Sequence, residues 1–220
     1  MNADDFRSLI STQEFQRELE EMSTYLMSIK QERPIVYLIA KQLWKRGVSY
    51  QLEGTERKDL WIDGKTRLEF KFHYDCDILK LDAELKKLGD KSLLTVLNES
   101  RSTGRSTGWS VSPKIYEDIC ERKPDLFVWV ICSRDLFSQD ATELSRVCWS
   151  REQVKYNKAH SYNATETFSH SIDQLFVRLQ AIRPFRVSRE VVSTNGVFRS
   201  AYHFFICDFA VVEMTTCLPE

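Results

Sequence analysis

Glycine and proline are scarce in this chain, 7 and 5 among 220 residues. That scarcity argues against long low-complexity or disordered stretches. No apolar run approaches the length of a membrane-spanning helix. The first residues, MNADDFRSLI, lack the basic and apolar regions of a secretory signal. The expectation is therefore a cytoplasmic protein with no membrane partner. Charge of neither sign dominates: 31 Lys and Arg stand against 32 Asp and Glu, a net of −1. A nucleic-acid binder often carries a basic excess, so any such contact here has to be local and salt-sensitive. The six cysteines, at 76, 120, 132, 148, 207 and 217, form no CxxC pair. Cys132 and Cys207 lie inside apolar runs and read as small buried side chains of a reducing compartment. No nucleophilic triad, Walker loop or Rossmann glycine fingerprint is visible.

What remains is a chain long enough for one domain with a substantial core. Phe15, Leu19, Met22, Leu26 and Ile29 recur at helical steps, predicting an amphipathic helix over 12–30 that Thr12 starts. Its apolar stripe suits either the core or a dimer seam. Glu32-Arg33-Pro34 opens a second helix, with Ile35, Leu38, Ile39 and Leu43 on one side and Gly47 as a left-handed stop. Val48 to Glu53 is a short strand candidate. Ile78, Leu81, Leu85 and Leu88 mark a helix within 77–97, whose last part, SLLTVL, is helix or strand. Arg101 to Gly108, RSTGRSTG, contains no apolar residue and reads as a loop. Ser112-Pro113 begins a helix to about 121. Asp125 to Cys132, DLFVWVIC, is an apolar run of strand length that reads as a buried central strand. Phe168 to Ile182 is a further helix, stopped by Pro184. Asn195-Gly196 predicts a hairpin between Phe185–Val192 and Val197–Val212.

The segment from Lys58 to Phe72, KDLWIDGKTRLEFKF, carries the chemistry. It reads as a hairpin whose side chains alternate faces. A two-residue Asp63-Gly64 turn mixes polar and apolar side chains on both faces. A three-residue Asp63-Gly64-Lys65 loop pairs Ile62 with Thr66 and Leu60 with Leu68. Only that register makes one apolar face of Leu60, Ile62, Leu68, Phe70 and Phe72, and a buried face specifies register. Asp59 then lies beside Glu69, with Lys71 one pleat further. Two adjacent carboxylates repel each other, and a divalent cation relieves the repulsion. From the hairpin alone, a solvated charged face and a metal-assisted catalytic face both remain open.

Asp59 and Glu69-Phe70-Lys71 resemble the core motif of the PD-(D/E)xK nuclease superfamily: an acid, a short hairpin, then acid-x-Lys. The usual proline before the first acid is replaced by Lys58. The resemblance covers roughly residues 32–132, with 1–31 as an N-terminal helical segment and 133–220 as an extension of uncertain role. It implies an α/β fold, a mixed central β-sheet flanked by helices, with a C-terminal β-hairpin extension. It implies Mg2+ held by Asp59 and Glu69, Lys71 as the catalytic lysine, and hydrolysis of DNA phosphodiester bonds. Glu32 is either an extra acid near the metal or a helix cap. His73 continues the same face as a polar surface residue or a ligand. Size and the unrecognised second half resemble a stand-alone type II restriction endonuclease, a class that is typically homodimeric. Arg101 and Arg105 are the candidate DNA contacts, the alternative being a surface loop without a partner. The rival class is a non-catalytic nucleic-acid-binding or scaffolding protein of the same fold.

Overall fold

The chain's most apolar run is the middle of its sheet. Every residue from Leu126 to Cys132 is buried, because helices cover both faces of that strand and no alternation is needed. The computed structural model describes residues 1–25, 31–52, 59–89, 91–95, 98, 111–134, 167–195 and 199–210. In chain order the elements are α1 (Ala3–Ile10), α2 (Gln13–Tyr25), α3 (Glu32–Lys45), β1 (Tyr50–Leu52), β2 (Leu60–Ile62), β3 (Thr66–Tyr74), α4 (Asp75–Leu88), α5 (Ser112–Tyr116), a π-helical turn (Glu117–Glu121), β4 (Leu126–Arg134), α6 (Thr167–Gln180), β5 (Arg186–Asn195) and β6 (Arg199–Asp208). The strands form one sheet in the order β1-β2-β3-β4-β6-β5. β3 and β4 run parallel, and the other neighbours are antiparallel.

Two cores lie on the two faces. Phe6, Phe15, Leu19, Ile35, Ile39 and Leu43 of α1–α3 pack on one, against Phe70, Phe72, Val128, Val130 and Phe204. Ile78 and Leu81 of α4, Ile115 and Ile119, and Ile172 and Leu175 of α6 pack on the other, against Phe127, Trp129 and Ile131. This is a mixed six-stranded sheet flanked by helices on both sides. Among the described residues no helix is long and apolar enough to cross a membrane.

The hairpin register is the three-residue one. Ile62 pairs with Thr66 and Leu60 with Leu68, and Asp63 and Gly64 take φ of 50° and 62°. All five apolar hairpin residues join the first core. Gly47, at φ 70°, closes α3 in a Schellman motif: Val48 N donates to Leu43 O at 3.0 Å and Gly47 N to Trp44 O at 3.0 Å.

Several expectations need correction. Thr12 does start α2, accepting from Phe15 N at 3.2 Å. A separate helix, α1, precedes it, capped by an Asn2–Asp5 capping box. The α2 stripe forms no free dimer seam, because Phe15 and Leu19 are fully buried in the first core. Residues 26–30 and Glu53 lie outside the described residues. Leu93 to Thr95 is helical, not strand. The C-terminal hairpin is no appendage: β6 pairs with β4 from Asp208 to Ser200 and sits between β4 and β5. The hairpin signalled by Asn195-Gly196 is present, with β5 running on to Asn195 beyond the expected Val192 and pairing there with Arg199; residues 196–198 lie outside the described residues.

Candidate active site

β2 leaves the edge of β3 after three residues, and the carboxylates gather where it leaves. In a continuing ladder, Phe70 N and Phe72 N would bond to a strand backbone. Buried backbone donors require partners. Asp59 Oδ2 accepts from Phe70 N at 2.7 Å, and Glu32 Oε2 accepts from Phe72 N at 3.0 Å. The two acids thus take the place of the missing strand, one from the residue preceding β2 and one from the first residue of α3. Glu32, expected as a helix cap or an extra acid near the metal, bonds to the sheet through Oε2.

The side chains of Phe70 and Phe72 enter the first core. Alternation turns Glu69 and Lys71 to the opposite face, where the π-helical turn meets them. Glu69 is only 1% exposed. Arg122 Nη1 donates to Glu69 Oε1, and Arg122 Nε lies 3.4 Å from Asp118 Oδ1. Lys71 Nζ lies 2.9 Å from Asp118 Oδ2, and Asp118 is also buried. Among the described residues, Glu69 Oε2 is buried without a hydrogen-bond partner.

The electrostatics follow from this crowding. Burial, then the charges of Asp59 and Asp118, push the Glu69 carboxyl up to about 8, against the pull of Arg122. Burial raises Asp59 as well; the Phe70 amide opposes it and the Glu32 charge adds to it. Burial also raises Asp118, opposed by Lys71. Burial works to lower the Lys71 ammonium, but Asp118 and Glu32 outweigh it and hold Lys71 above its ordinary value. The face therefore combines carboxylates that resist ionising with an ammonium that stays charged.

Compared with protein-family models, curated proteins and solved structures, the chain matches none. Glu69 and Lys71 share one partly covered face, and the carboxylates of Asp59 and Glu32 lie on the adjoining edge of β3, near enough for their charges to act on Glu69 and Lys71 respectively. His73, on the same face, is committed elsewhere: its Nδ1 accepts from the Nε1–H of buried Trp129 at 2.9 Å. Among the described residues no three His, Cys, Asp or Glu side chains form a ready-made metal cluster. Arg101 and Arg105, as well as Lys58, lie outside the described residues.

Sequence reasoning missed Asp118 and Arg122. Both come from the π turn, where Arg122 N bonds to Glu117 O at 3.0 Å. The extra residue per turn shifts the side chains that follow, and such turns recur at functional sites. A faint signal exists: Asp118 and Arg122 each lie three residues after an apolar position, Ile115 and Ile119, on the border of the buried stripe. Glu84 was missed too. It is buried, and it accepts from Val111 N at 3.1 Å, Ser112 N at 2.8 Å and Ser112 Oγ at 2.7 Å. It thereby fastens the start of α5, and with it the π turn, to α4.

Proposed function

We propose that the protein is a magnesium-dependent nuclease that hydrolyses DNA phosphodiester bonds, with a restriction endonuclease-like fold of the PD-(D/E)xK type. One observation carries the reading. Where β2 leaves β3, Glu69 keeps a buried, unpartnered oxygen within reach of the charges of Asp59 on the strand edge and of Asp118, and Lys71 shares the face of Glu69. Ionising Glu69 in this place is costly even with Arg122 on Oε1, and a divalent cation on Oε2 would lower that cost. Oxygen donors suit Mg2+, so Asp59 and Glu69 fit as its protein ligands, with Glu32 as a further acid on the strand edge.

When bound, the metal supplies charge neutralisation at the scissile phosphate and acidifies a water. The chain's own residues do the rest. The Phe70 amide holds Asp59 Oδ2 and thereby fixes the orientation of the carboxylate. β3 carries Glu69 and Lys71 on a rigid strand, which keeps their spacing constant. Lys71, held charged by Asp118 and Glu32, orients the attacking water or offsets charge that develops on phosphate. The fit to a type II restriction endonuclease, and a homodimer placing two such sites on the two strands, rests on the sequence resemblance. Arg101 and Arg105 are proposed DNA contacts.

The second reading, a binding or scaffolding protein without hydrolysis, is favoured by the internal pairing of Glu69 with Arg122 and of Lys71 with Asp118. Incubating purified protein with plasmid in Mg2+, with and without EDTA, separates the two. Nicked or linear plasmid only in Mg2+ supports the nuclease. Retarded but intact plasmid in both supports the binder.

A further inference from the structure

Arg122 occupies an unusual place for a residue that no motif announces. Four carboxylates, Glu32, Asp59, Glu69 and Asp118, share their surroundings with two cations, Lys71 and Arg122. The two cations are not equivalent. Lys71 is largely buried, whereas the Arg122 side chain is 33% exposed and sits at the end of the π turn. Its guanidinium spans two acids, with Nη1 on Glu69 Oε1 and Nε 3.4 Å from Asp118 Oδ1. Glu69 is therefore shared between an arginine and the cation it is proposed to bind.

We infer that Arg122 is a stand-in cation: it occupies Oε1 of Glu69 in the metal-free protein, yields that oxygen to the divalent ion, and then pairs with a phosphate of the substrate. This rests on the nuclease reading above and deepens it by adding a substrate-positioning residue. The geometry gives each part a reason. A guanidinium and a metal ion both seek Glu69 oxygens, and the repulsion among the acids is relieved by whichever is present. Once released from Glu69, Arg122 retains its Asp118 anchor through Nε, so the exposed edge of its fork remains beside the site. A planar fork of donors suits a phosphate oxygen pair. The exchange also keeps the buried acids from ever facing one another without a cation, which steadies the site before metal arrives.

The test uses the full chain and two readouts besides cleavage. Mn2+ is titrated calorimetrically into wild-type, Arg122→Gln and Arg122→Lys protein. Binding of a short fluorescent DNA duplex is measured in Ca2+. Arg122→Gln is expected to bind Mn2+ about tenfold more tightly, because a competitor is gone, and DNA about tenfold more weakly, because a phosphate contact is gone. Arg122→Lys keeps the charge and should fall between on both. In a Glu69→Gln background, Arg122→Gln should no longer tighten Mn2+ binding. A merely structural arginine would weaken both ligands together. Arg122→Gln protein that binds Mn2+ no more tightly than wild type overturns the inference and leaves the nuclease reading standing. Wild-type protein that binds no Mn2+ overturns both. Thermal melts identify a variant that fails to fold, and the Arg122→Lys comparison then decides.

Discussion

Replacing Glu69 with glutamine should stabilise the protein while removing its metal site. In the folded chain the Glu69 carboxyl titrates near 8, against an ordinary value of 4.5. The folded state therefore holds a proton that the unfolded chain has already released. This contribution is fully present below about pH 4.5 and is lost as pH rises through about 8. At pH 7 the gap from 4.5 is two and a half units, each about 1.4 kcal/mol, or roughly 3.5 kcal/mol. Glutamine mimics the protonated form and escapes that cost. It also weakens the charge-assisted bond from Arg122, worth about 1.5–3 kcal/mol, which leaves about 0.5–2 kcal/mol of net gain. For a chain of this size that is a rise of roughly 2–6 °C in Tm. Urea denaturation in EDTA at a series of pH values reads the effect. The advantage of Glu69→Gln should grow as pH rises toward 8 and then level off. Mg2+ should stabilise the wild type and leave the variant unchanged. A variant no more stable than wild type near neutral pH, or an advantage independent of pH, would refute the reasoning.

Other outcomes follow from the same geometry. Phe70→Ala should cost about 3–5 kcal/mol, since its ring is buried against Phe6, and denaturant unfolding would show it. Asp59→Ala should abolish Mg2+ binding by calorimetry and cost about 1–2 kcal/mol, because Phe70 N loses its acceptor. Glu84→Ala removes three hydrogen bonds at the start of α5. It should cost about 2–4 kcal/mol and lower cleavage indirectly, whereas Glu84→Gln should recover much of both. Arg101→Ala with Arg105→Ala should flatten the salt dependence of DNA binding; an unchanged slope removes these two arginines from the interface.

The features legible in the sequence are those with local physical causes. Leu60, Ile62, Leu68, Phe70 and Phe72 alternate so strictly that only one hairpin register buries them together. DLFVWVIC announced a strand buried on both faces because it contains no polar residue between Leu126 and Cys132. The illegible parts depend on distant partners. Nothing near Phe185 or Val197 says that β6 inserts between β4 and β5, since that pairing is set by which sheet edge remains open. The role of Glu32 is equally non-local: its partner, Phe72 N, is forty residues away. Asp118 and Arg122 were hidden by the π turn, because a helical wheel of ordinary pitch assigns them to the border of the apolar face.

The central claim is that Lys71 acts in catalysis and not in holding the metal. The most direct measurement compares wild-type and Lys71→Ala protein in parallel, scoring plasmid cleavage in Mg2+ and duplex binding in Ca2+. Wild type should cut in Mg2+ and stop in EDTA, while Lys71→Ala should bind the duplex nearly as well and leave the plasmid intact. Cleavage by Lys71→Ala at the wild-type rate, or no cleavage by wild type under any divalent ion, would contradict it.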